Sequence, residues 1–345
     1  MIDLTPYSRR RYTQGFTAFH KLERLTQILG GPNIYIKRDD CLGLAGGGNK
    51  TRKLEFVVAD ALAQKADTLI TCASVQSNHC RLTLSAASIE GLKCRLALEQ
   101  RVPGSYDSKA SGNNFLFHLL GVEQIEVYPG GTDMDAAMAE LAENATGEGR
   151  NVYVITLGAG TPLGVLGYVA CSHEILAQAN DQGVQLDAIV HATGGSGGTQ
   201  AGLLIGLLGS QQPIPVIGIC SGSEKSVQID RVDSLARRTM DFLQVPDSLS
   251  RNLVTCYDDY IGPGYSLPTP EMVEAVTLMA STEGILLDPV YSGKAMAGLI
   301  DLIRNKHFTR GQNVLFLHTG GTPALYHFTS AFFREQRTNN TADFE

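Results

Sequence analysis

The chain has 345 residues, of which 28 are basic and 35 acidic, and a formal net charge of −7. This length suffices for two domains, and a weakly acidic chain without runs of like charge offers no surface for nucleic acid or anionic lipid. No stretch approaches the roughly 20 apolar residues that cross a bilayer, and residues 1–11 lack the apolar run of a signal peptide, so we expect a cytoplasmic protein. The seven cysteines are scattered without a Cys-x-x-Cys pair, which argues against disulfides and against a metal site.

Apolar runs alternate with amphipathic stretches of helical length along the chain, which predicts an α/β fold. The spacing predicts a helix over residues 50–63, a strand over 68–72, a helix that ends near Glu90 before Gly91, and a strand over 93–98. Further strands are predicted over residues 125–128, 152–156, 188–191, 216–220 and 314–318. Strands that alternate with helices form mostly parallel, doubly wound sheets, and we expect two such sheets in two domains.

A glycine turn at residues 46–48 delivers Lys50 to the first residue of the first long helix. Such a turn gives a ligand access to the lysine without bulk. A lysine becomes a covalent catalyst when a carbonyl group reaches its amine and the amine is partly desolvated. These residues alone leave two interpretations, a surface lysine that begins a helix and a catalytic lysine.

A second glycine-rich segment, residues 191–202, follows a predicted buried strand and opens a helix. Free backbone N–H groups and the positive end of a helix dipole suit an anion, and a phosphate fits best. A dinucleotide-binding fingerprint fits poorly, because Gln200 occupies the position of its third glycine. A turn that serves only packing is another interpretation.

The same segment also contains a Gly-x-Ser-x-Gly pattern centred on Ser196, which is typical of the nucleophile of α/β hydrolases. Asp288 and then His318 or His327 follow in the chain order of a hydrolase triad. A serine hydrolase is therefore an alternative function.

Polar residues 74–79 lie where a strand ends and a helix begins, and their hydroxyl, amide and backbone N–H groups suit a carboxylate. Ser77 and Asn78 are the central residues of this segment. Two tyrosines, Tyr265 and Tyr291, lie in rigid turns nearer the C-terminus, where a packing role is more common than a catalytic one.

Together these motifs resemble the pyridoxal-phosphate enzymes of the tryptophan synthase β fold type, also called fold type II. They are most similar to the branch that contains D-cysteine desulfhydrase, L-cysteate sulfo-lyase and 1-aminocyclopropane-1-carboxylate deaminase. The resemblance covers nearly the whole chain and is carried, in order, by residues 37–40, 47–55, 76–79, 283–291 and 318–321.

The resemblance implies a large cofactor-binding domain of residues 1–50 and 165–345, and a small α/β domain on the substrate side of residues 51–164. Lys50 would bind pyridoxal phosphate covalently, and Asn78 would bond its phenolic oxygen. Lys53, one helical turn after Lys50, could add charge beside the phosphate. The turn that would hold the phosphate consists of Gly195, Ser196, Gly197, Gly198 and Thr199.

Around the amino-acid substrate, Ser77 would contact the carboxylate, with Tyr265 and Tyr291 beside the cofactor ring and the substrate. The other residues expected at the substrate are Asn78, His79 and Gln76. The resemblance also implies a homodimer. A catalytically inactive amino-acid sensor on the same fold is a further alternative, which the intact Lys50 disfavours.

The residue after Tyr291 bears on the reaction, because the deaminase of this branch has a glutamate there and this chain has Ser292. A hydroxyl cannot keep the pyridine nitrogen protonated, so Ser292, or Thr319 as a second candidate, implies a weaker electron sink. Such a sink suffices when a good leaving group departs from the β-carbon. We therefore expect a carbon–sulfur lyase in which the freed Lys50 amine takes the α-proton and pyruvate and ammonia are formed.

Ser292, Thr51, the start of the glycine-rich segment and residues 299–304 favour L-cysteate as the substrate, with sulfite as the second product. D-cysteine, which would release sulfide, is the alternative, and the deaminase reaction is less favoured. A sulfonate needs cationic or hydroxyl partners, for which Ser74, His79 and Arg81 are candidates if their side chains point inward.

Overall fold

The computed structural model describes residues 1–247 and 249–333. The strands are β1 (Phe19–Lys21), β2 (Asn33–Arg38), β3 (Thr68–Ser74), β4 (Lys93–Gln100), β5 (Gln124–Pro129), β6 (Val152–Ile155), β7 (Ala188–Thr193), β8 (Val216–Cys220), β9 (Thr255–Tyr257) and β10 (Asn313–His318). The helices are α1 (Glu23–Leu29), α2 (Lys50–Ala63), α3 (Asn78–Glu90), α4 (Asn113–Leu119), α5 (Met134–Gly147), α6 (Pro162–Asp181), α7 (Gly198–Gly209), α8 (Lys225–Leu243), α9 (Pro270–Glu283), α10 (Ser292–Arg304) and α11 (Thr322–Leu325).

The strands form two separate sheets. The larger sheet has the order β1-β2-β10-β7-β8-β9, in which β1 pairs antiparallel with β2 and the other pairs are parallel. The smaller sheet has the order β5-β4-β3-β6 and is entirely parallel. Two mostly parallel sheets confirm the predicted fold class.

Helices cover both faces of each sheet. On the larger sheet, α6, α7 and α8 pack on one face and α1, α9 and α10 on the other. On the smaller sheet, α2 and α3 cover one face and α5 the other. Because both faces are covered, β3, β7 and β8 are buried along their whole length, which explains their continuous apolar runs.

Sequence periodicity located the long central strands but not β1, β2 or β9. The strands β1 and β9 have three residues each, too few to show a period of two. All strands of the smaller sheet lie within residues 51–164, and all strands of the larger sheet lie outside them. The boundaries of the two domains stay a prediction.

A buried ionic network anchors α2, the helix that begins at Lys50. The guanidinium of Arg52 donates to Asp39 Oδ1 (2.7 Å) at the end of β2 and to Glu174 Oε2 (2.8 Å) on α6. Tyr168 of α6 donates to the other oxygen of Asp39 (2.7 Å), and Lys37 pairs with Glu174. Two cations balance two carboxylates, so α2 is held firmly between β2 and α6.

The carboxyl ends of β3, β6, β7 and β10 point toward the space between the sheets, and the loops that follow them meet there. Among the helices of residues 1–247 and 249–333, none combines the length and apolar composition needed to span a membrane.

Candidate active site

A cavity lies where these loops meet the start of α2. Most of the residues predicted from the sequence line it, although they come from distant parts of the chain. They are Lys50, Lys53, Ser77, Asn78, His79, Gly195, Ser196, Gly197, Gly198, Thr199, Tyr291 and Thr319.

The glycine turn before α2 presents Lys50 to this cavity. Gly47 has a φ of 63°, and a Cβ added to it would lie 1.7 Å from the carbonyl oxygen of Asp40, so only glycine fits. Asn49 N donates to the carbonyl of Thr319 (2.9 Å), which fastens the turn to the loop after β10. The position of Lys50 therefore depends on both the turn and that loop.

The Lys50 amine is adapted to act as a nucleophile or base. Its Nζ donates to Asn49 Oδ1 (3.1 Å), and a Cβ added to Gly158 would lie 3.3 Å from its Cε. Desolvation lowers the pKa of Lys50 to about 8. A useful fraction of this amine is therefore uncharged near neutral pH.

The glycine-rich segment and Lys53 form an anion-binding end of the cavity. Gly197, with a φ of 71°, directly precedes the first turn of α7, whose backbone N–H groups have no partner within the helix. The Lys53 side chain is buried, and a Cβ added to Gly198 would lie 2.8 Å from its Nζ. Burial, together with Lys50, lowers the pKa of Lys53 well below its ordinary value.

A buried ammonium group is costly unless an anion accompanies it. Within the described residues, the hydrogen bond that Lys53 Nζ makes goes to the carbonyl of Gly158 (3.4 Å), and no carboxylate pairs with it. The start of α7 and Lys53 together therefore fit a phosphate group, as the expected cofactor requires.

Asn78 and Ser77 supply hydrogen-bond donors at the other end. Arg81 Nη1 and Asn113 Nδ2 both donate to Asn78 Oδ1 (2.9 Å each), which leaves the Asn78 amide N–H groups to donate elsewhere. Ser77 Oγ accepts from Cys80 N (3.0 Å) as the N-cap of α3, so its own O–H remains available. These donors suit a phenolic oxygen and a carboxylate.

His79 is buried in the cavity wall and uncharged. Its Nε2 pairs with Thr71 Oγ1 (2.9 Å), and burial with Lys50 and Lys53 lowers its pKa well below 6.5. It therefore offers no positive charge to a substrate at neutral pH.

Tyr291 lies in the wall between the cavity and a cleft of about 710 Å³ that leads to it. Tyr265 lines this cleft rather than the cavity, and its hydroxyl lies 2.6 Å from that of Tyr291 and 3.0 Å from Ser74 Oγ. Burial raises the pKa of Tyr291 well above 10, so this phenol stays protonated. The two tyrosines and Ser74 form a chain of hydroxyl groups at the cavity.

Besides Tyr265, two predicted residues, Ser292 and Gln76, do not line the cavity. Ser292 Oγ donates to Asp288 Oδ1 (2.6 Å) and is buried at the start of α10, whereas Thr319 lines the cavity. The side chain of Gln76 accepts from Asn113 N (2.9 Å) and donates to a carbonyl in the loop before α4. Of the two ring-nitrogen partners expected from the sequence, Thr319 therefore lies at the cavity and Ser292 outside it, and the role itself stays a prediction.

The structure does not assemble the hydrolase triad. Ser196 Oγ accepts from Gly198 N (3.4 Å), and in the part of the chain that the structure describes no histidine bonds to it. His318 instead bonds the carbonyl of Leu286 (3.0 Å) and the amide of Gly320 (3.3 Å).

Sequence reasoning missed the loop after β6, where Leu157 and Gly158 line the cavity beside Lys50 and Ser196. Glycines at 158 and 160 directly after a predicted strand were the signal, the same one that identified the segment after β7. Asn49 and Thr193 also line the cavity; both lie in segments identified from the sequence, but neither was named as a site residue.

Comparison with known proteins agrees with this geometry. The family model described as pyridoxal-phosphate dependent enzyme matches residues 11–320. The D-cysteine desulfhydrases of Salmonella paratyphi C (strain RKS4594) and Serratia proteamaculans (strain 568) are 43% and 40% identical to this chain, over 94% of it and 97% and 96% of their own lengths.

Solved structures of related enzymes are also similar to this chain. A crystal structure of an ACC deaminase homologue superposes with a TM-score of 0.86 at 36% identity, over 95% of this chain and 96% of that one. O-ureido-L-serine synthase, at 20% identity and a TM-score of 0.67 over 97% of this chain and 98% of its own, shares the fold. The chain therefore belongs to the pyridoxal-phosphate dependent enzyme family, and pyridoxal phosphate is its cofactor.

Proposed function

We propose that this enzyme is a D-cysteine desulfhydrase, which converts D-cysteine and water to pyruvate, hydrogen sulfide and ammonia. Relatives of that name match 94% of the chain at 40–43% identity. They favour the second of the two substrates considered from the sequence over L-cysteate, and we adopt D-cysteine for that reason.

The observation that carries this choice is the match to these relatives, and the charge of the cavity wall agrees with it. A sulfonate is permanently anionic and needs a cation near the β-carbon, whereas a thiol does not. Among the described residues that line the cavity itself, the lysines and arginines are Lys50 and Lys53, and Lys53 lies at the anion-binding end. Arg101, Arg231 and Arg238 line the adjoining cleft. His79 is uncharged, and Arg81 points away from the cavity toward Asn78 Oδ1 and the carbonyl of Gly47.

When bound, pyridoxal phosphate withdraws electrons from the α-carbon of an amino acid, which makes that carbon acidic. Ser77 would hold the substrate carboxylate through its free O–H and the first N–H groups of α3. Lys50, with its lowered pKa, would remove the α-proton as a general base. These two residues fix the orientation of the α-carbon.

The bond between the β-carbon and sulfur then breaks, and the electron pair leaves with the sulfur. The hydroxyl chain of Ser74, Tyr265 and Tyr291 lies beside the cavity and would hold a proton for the departing sulfide. The remaining three-carbon enamine takes up a proton at its β-carbon, and water then hydrolyses it to pyruvate and ammonia. Each turnover therefore breaks one C–H, one C–S and one C–N bond and consumes one water.

A panel of substrates tests the proposal. The purified holoenzyme is incubated separately with D-cysteine, L-cysteine, L-cysteate and 1-aminocyclopropane-1-carboxylate, and pyruvate, sulfide, sulfite and ammonia are measured. We expect the highest kcat/KM for D-cysteine, with sulfide and pyruvate in equal amounts. Sulfite from L-cysteate at a higher kcat/KM, or turnover of the cyclopropane substrate alone, would overturn the proposal.

The homodimer implied by the resemblance is part of the same proposal. Sedimentation equilibrium of the holoenzyme tests it, and a mass close to twice the 37.0 kDa of one chain is expected.

A further inference from the structure

Arg81 is a buried arginine for which the proposed reaction has no use. It lies on α3, one turn after Asn78, and its side chain has no solvent exposure. Nη1 donates to Asn78 Oδ1 (2.9 Å) and Asn113 Oδ1 (2.6 Å), and Nη2 donates to the carbonyl of Gly47 (2.7 Å). All three acceptors are neutral.

The positive charge of Arg81 is not neutralised by contact. In residues 1–247 and 249–333, no carboxylate forms an ion pair with it, and its Nε has no hydrogen-bond partner. Burial lowers the pKa of Arg81 to about 10, far above neutral pH, so the side chain remains charged. An apolar residue would fill this space at lower cost, which indicates that the charge serves the adjacent site.

The contacts of Arg81 join two parts of that site. Gly47 belongs to the turn that presents Lys50, and a Cβ added to Gly46 would lie 3.6 Å from Arg81 Nε. Asn78 lines the cavity, and Arg81 binds the carbonyl end of its amide. The guanidinium therefore spans the space behind the wall that carries Lys50 and Asn78.

Asn113 completes the arrangement from α4. Its Nδ2 donates to Asn78 Oδ1 (2.9 Å) and to the carbonyl of Gln76 (2.9 Å), while its N–H donates to Gln76 Oε1 (2.9 Å). With two donors on Oδ1, the Asn78 amide cannot rotate to present its oxygen to the cavity without losing both bonds.

We propose that Arg81 is a positioning residue that holds the Asn78 amide with its N–H groups toward the phenolic oxygen of pyridoxal phosphate and keeps that oxygen ionised. A positive charge on the carbonyl end polarises the amide and makes its N–H groups stronger donors. The proposal depends on the cofactor and is independent of whether D-cysteine is the substrate.

The absorption spectrum of the holoenzyme without substrate tests the proposal, because the visible band reports the ionised phenolic oxygen and the near-ultraviolet band the protonated one. In Arg81→Gln we expect the ratio of visible to near-ultraviolet absorbance at neutral pH to fall by roughly threefold or more. The dissociation constant of the cofactor should rise about tenfold, as for a lost charge-assisted hydrogen bond. Arg81→Lys, which keeps the charge but loses the forked geometry, should lie between wild type and Arg81→Gln.

The matched control is Arg95→Gln, because Arg95 is a buried arginine of β4, in the sheet that α3 covers, and neither it nor its partners Glu123 and Glu148 line the cavity. It should lower the melting temperature without changing the band ratio. If Arg81→Gln also lowers only the melting temperature, Arg81 is merely structural and the proposal is overturned.

A double-mutant cycle tests whether Arg81 acts through Asn78. In an Asn78→Ala background, Arg81→Gln should leave the band ratio unchanged, and a further decrease of the same size would contradict the mechanism. If Arg81→Gln does not fold, Arg81→Lys serves instead, because it keeps the charge but loses the forked contact with Asn78 and the carbonyl of Gly47; an unchanged band ratio in that variant refutes the proposal.

Discussion

The hydroxyl oxygens of Tyr265 and Tyr291 lie 2.6 Å apart, although the two residues come from different turns of the larger-sheet part of the chain. Tyr265 also bonds Ser74 at the end of β3, in the smaller sheet, and the guanidinium of Arg101 lies 4.9 Å from the centre of its ring. One tyrosine hydroxyl thus connects both sheets at the mouth of the cavity.

Tyr265→Phe removes that hydroxyl while keeping the ring and its contact with Arg101. The proton path from Ser74 to Tyr291 is then interrupted, and we expect kcat/KM for sulfide release to fall about 100-fold, the usual contribution of one general acid. Tyr260→Phe is the control, because the Tyr260 hydroxyl bonds Asp301 (2.7 Å) outside the cavity. Equal activity of the Tyr265 variant and wild type would exclude the hydroxyl from catalysis.

Lys53→Met removes a buried cation that lacks a carboxylate partner among the described residues. We expect the cofactor-free protein to become more stable and the dissociation constant of pyridoxal phosphate to rise at least about tenfold, because the charge beside the phosphate is lost. Urea unfolding and cofactor titration measure the two effects. The exposed Lys93→Met should change neither. Weaker binding without a gain in stability would mean that the ammonium is not strained in the free protein.

The stability of the cofactor-free protein should also depend on pH through Lys50 and Lys53. Both pKa values are lowered by folding, to about 8 for Lys50, so between the folded pKa and the ordinary 10.5 the unfolded chain binds more protons. The unfolding free energy therefore rises with pH in this window, by at most about 1.4 kcal/mol per unit for each lysine. Unfolding at pH 7 and pH 9 checks this, and Lys53→Met should show the smaller increase.

Ser292→Ala and Thr319→Val together identify the ring-nitrogen partner. Ser292 bonds a buried carboxylate, so its loss should lower the unfolding free energy by about 1–3 kcal/mol and leave the spectrum of the bound cofactor unchanged. Thr319→Val keeps the shape of the side chain but removes the hydroxyl of a residue that lines the cavity, and should lower kcat about tenfold with little loss of stability. A changed cofactor spectrum in Ser292→Ala, together with an unchanged kcat in Thr319→Val, would instead identify Ser292 as the ring-nitrogen partner.

Lys50→Ala should abolish both pyruvate formation and the covalent attachment of the cofactor. Borohydride reduction followed by peptide mass spectrometry should find the cofactor on the peptide that contains Lys50 in wild type, and on no peptide in the variant. The neighbouring Lys53, with its Nζ beside Gly198, is the competing attachment site. A cofactor adduct on Lys53 in wild type would contradict the assignment.

The sequence by itself determined the features that depend on neighbouring residues. The helix from Lys50 to Ala63 and the helix that ends at Glu90 before Gly91 were predicted correctly, because apolar periodicity and a left-handed glycine cap act within a few residues. The resemblance, built on motifs at the carboxyl ends of strands, identified the fold class and the cofactor. Parallel strands place their carboxyl ends at the same edge of a sheet, whatever the sequence of the segments that connect them.

The tertiary structure decided which side chains face the cavity. Arg81 and Ser292 lie within two residues of the motifs that carried the resemblance, yet Arg81 points toward Asn78 and Gly47, and Ser292 toward Asp288. The direction of a side chain depends on packing between segments that are distant in sequence, and so does the burial that lowers the pKa of Lys53. For this reason motif spacing located the residues of the site, whereas the orientation and the electrostatics of their side chains followed only from the folded arrangement.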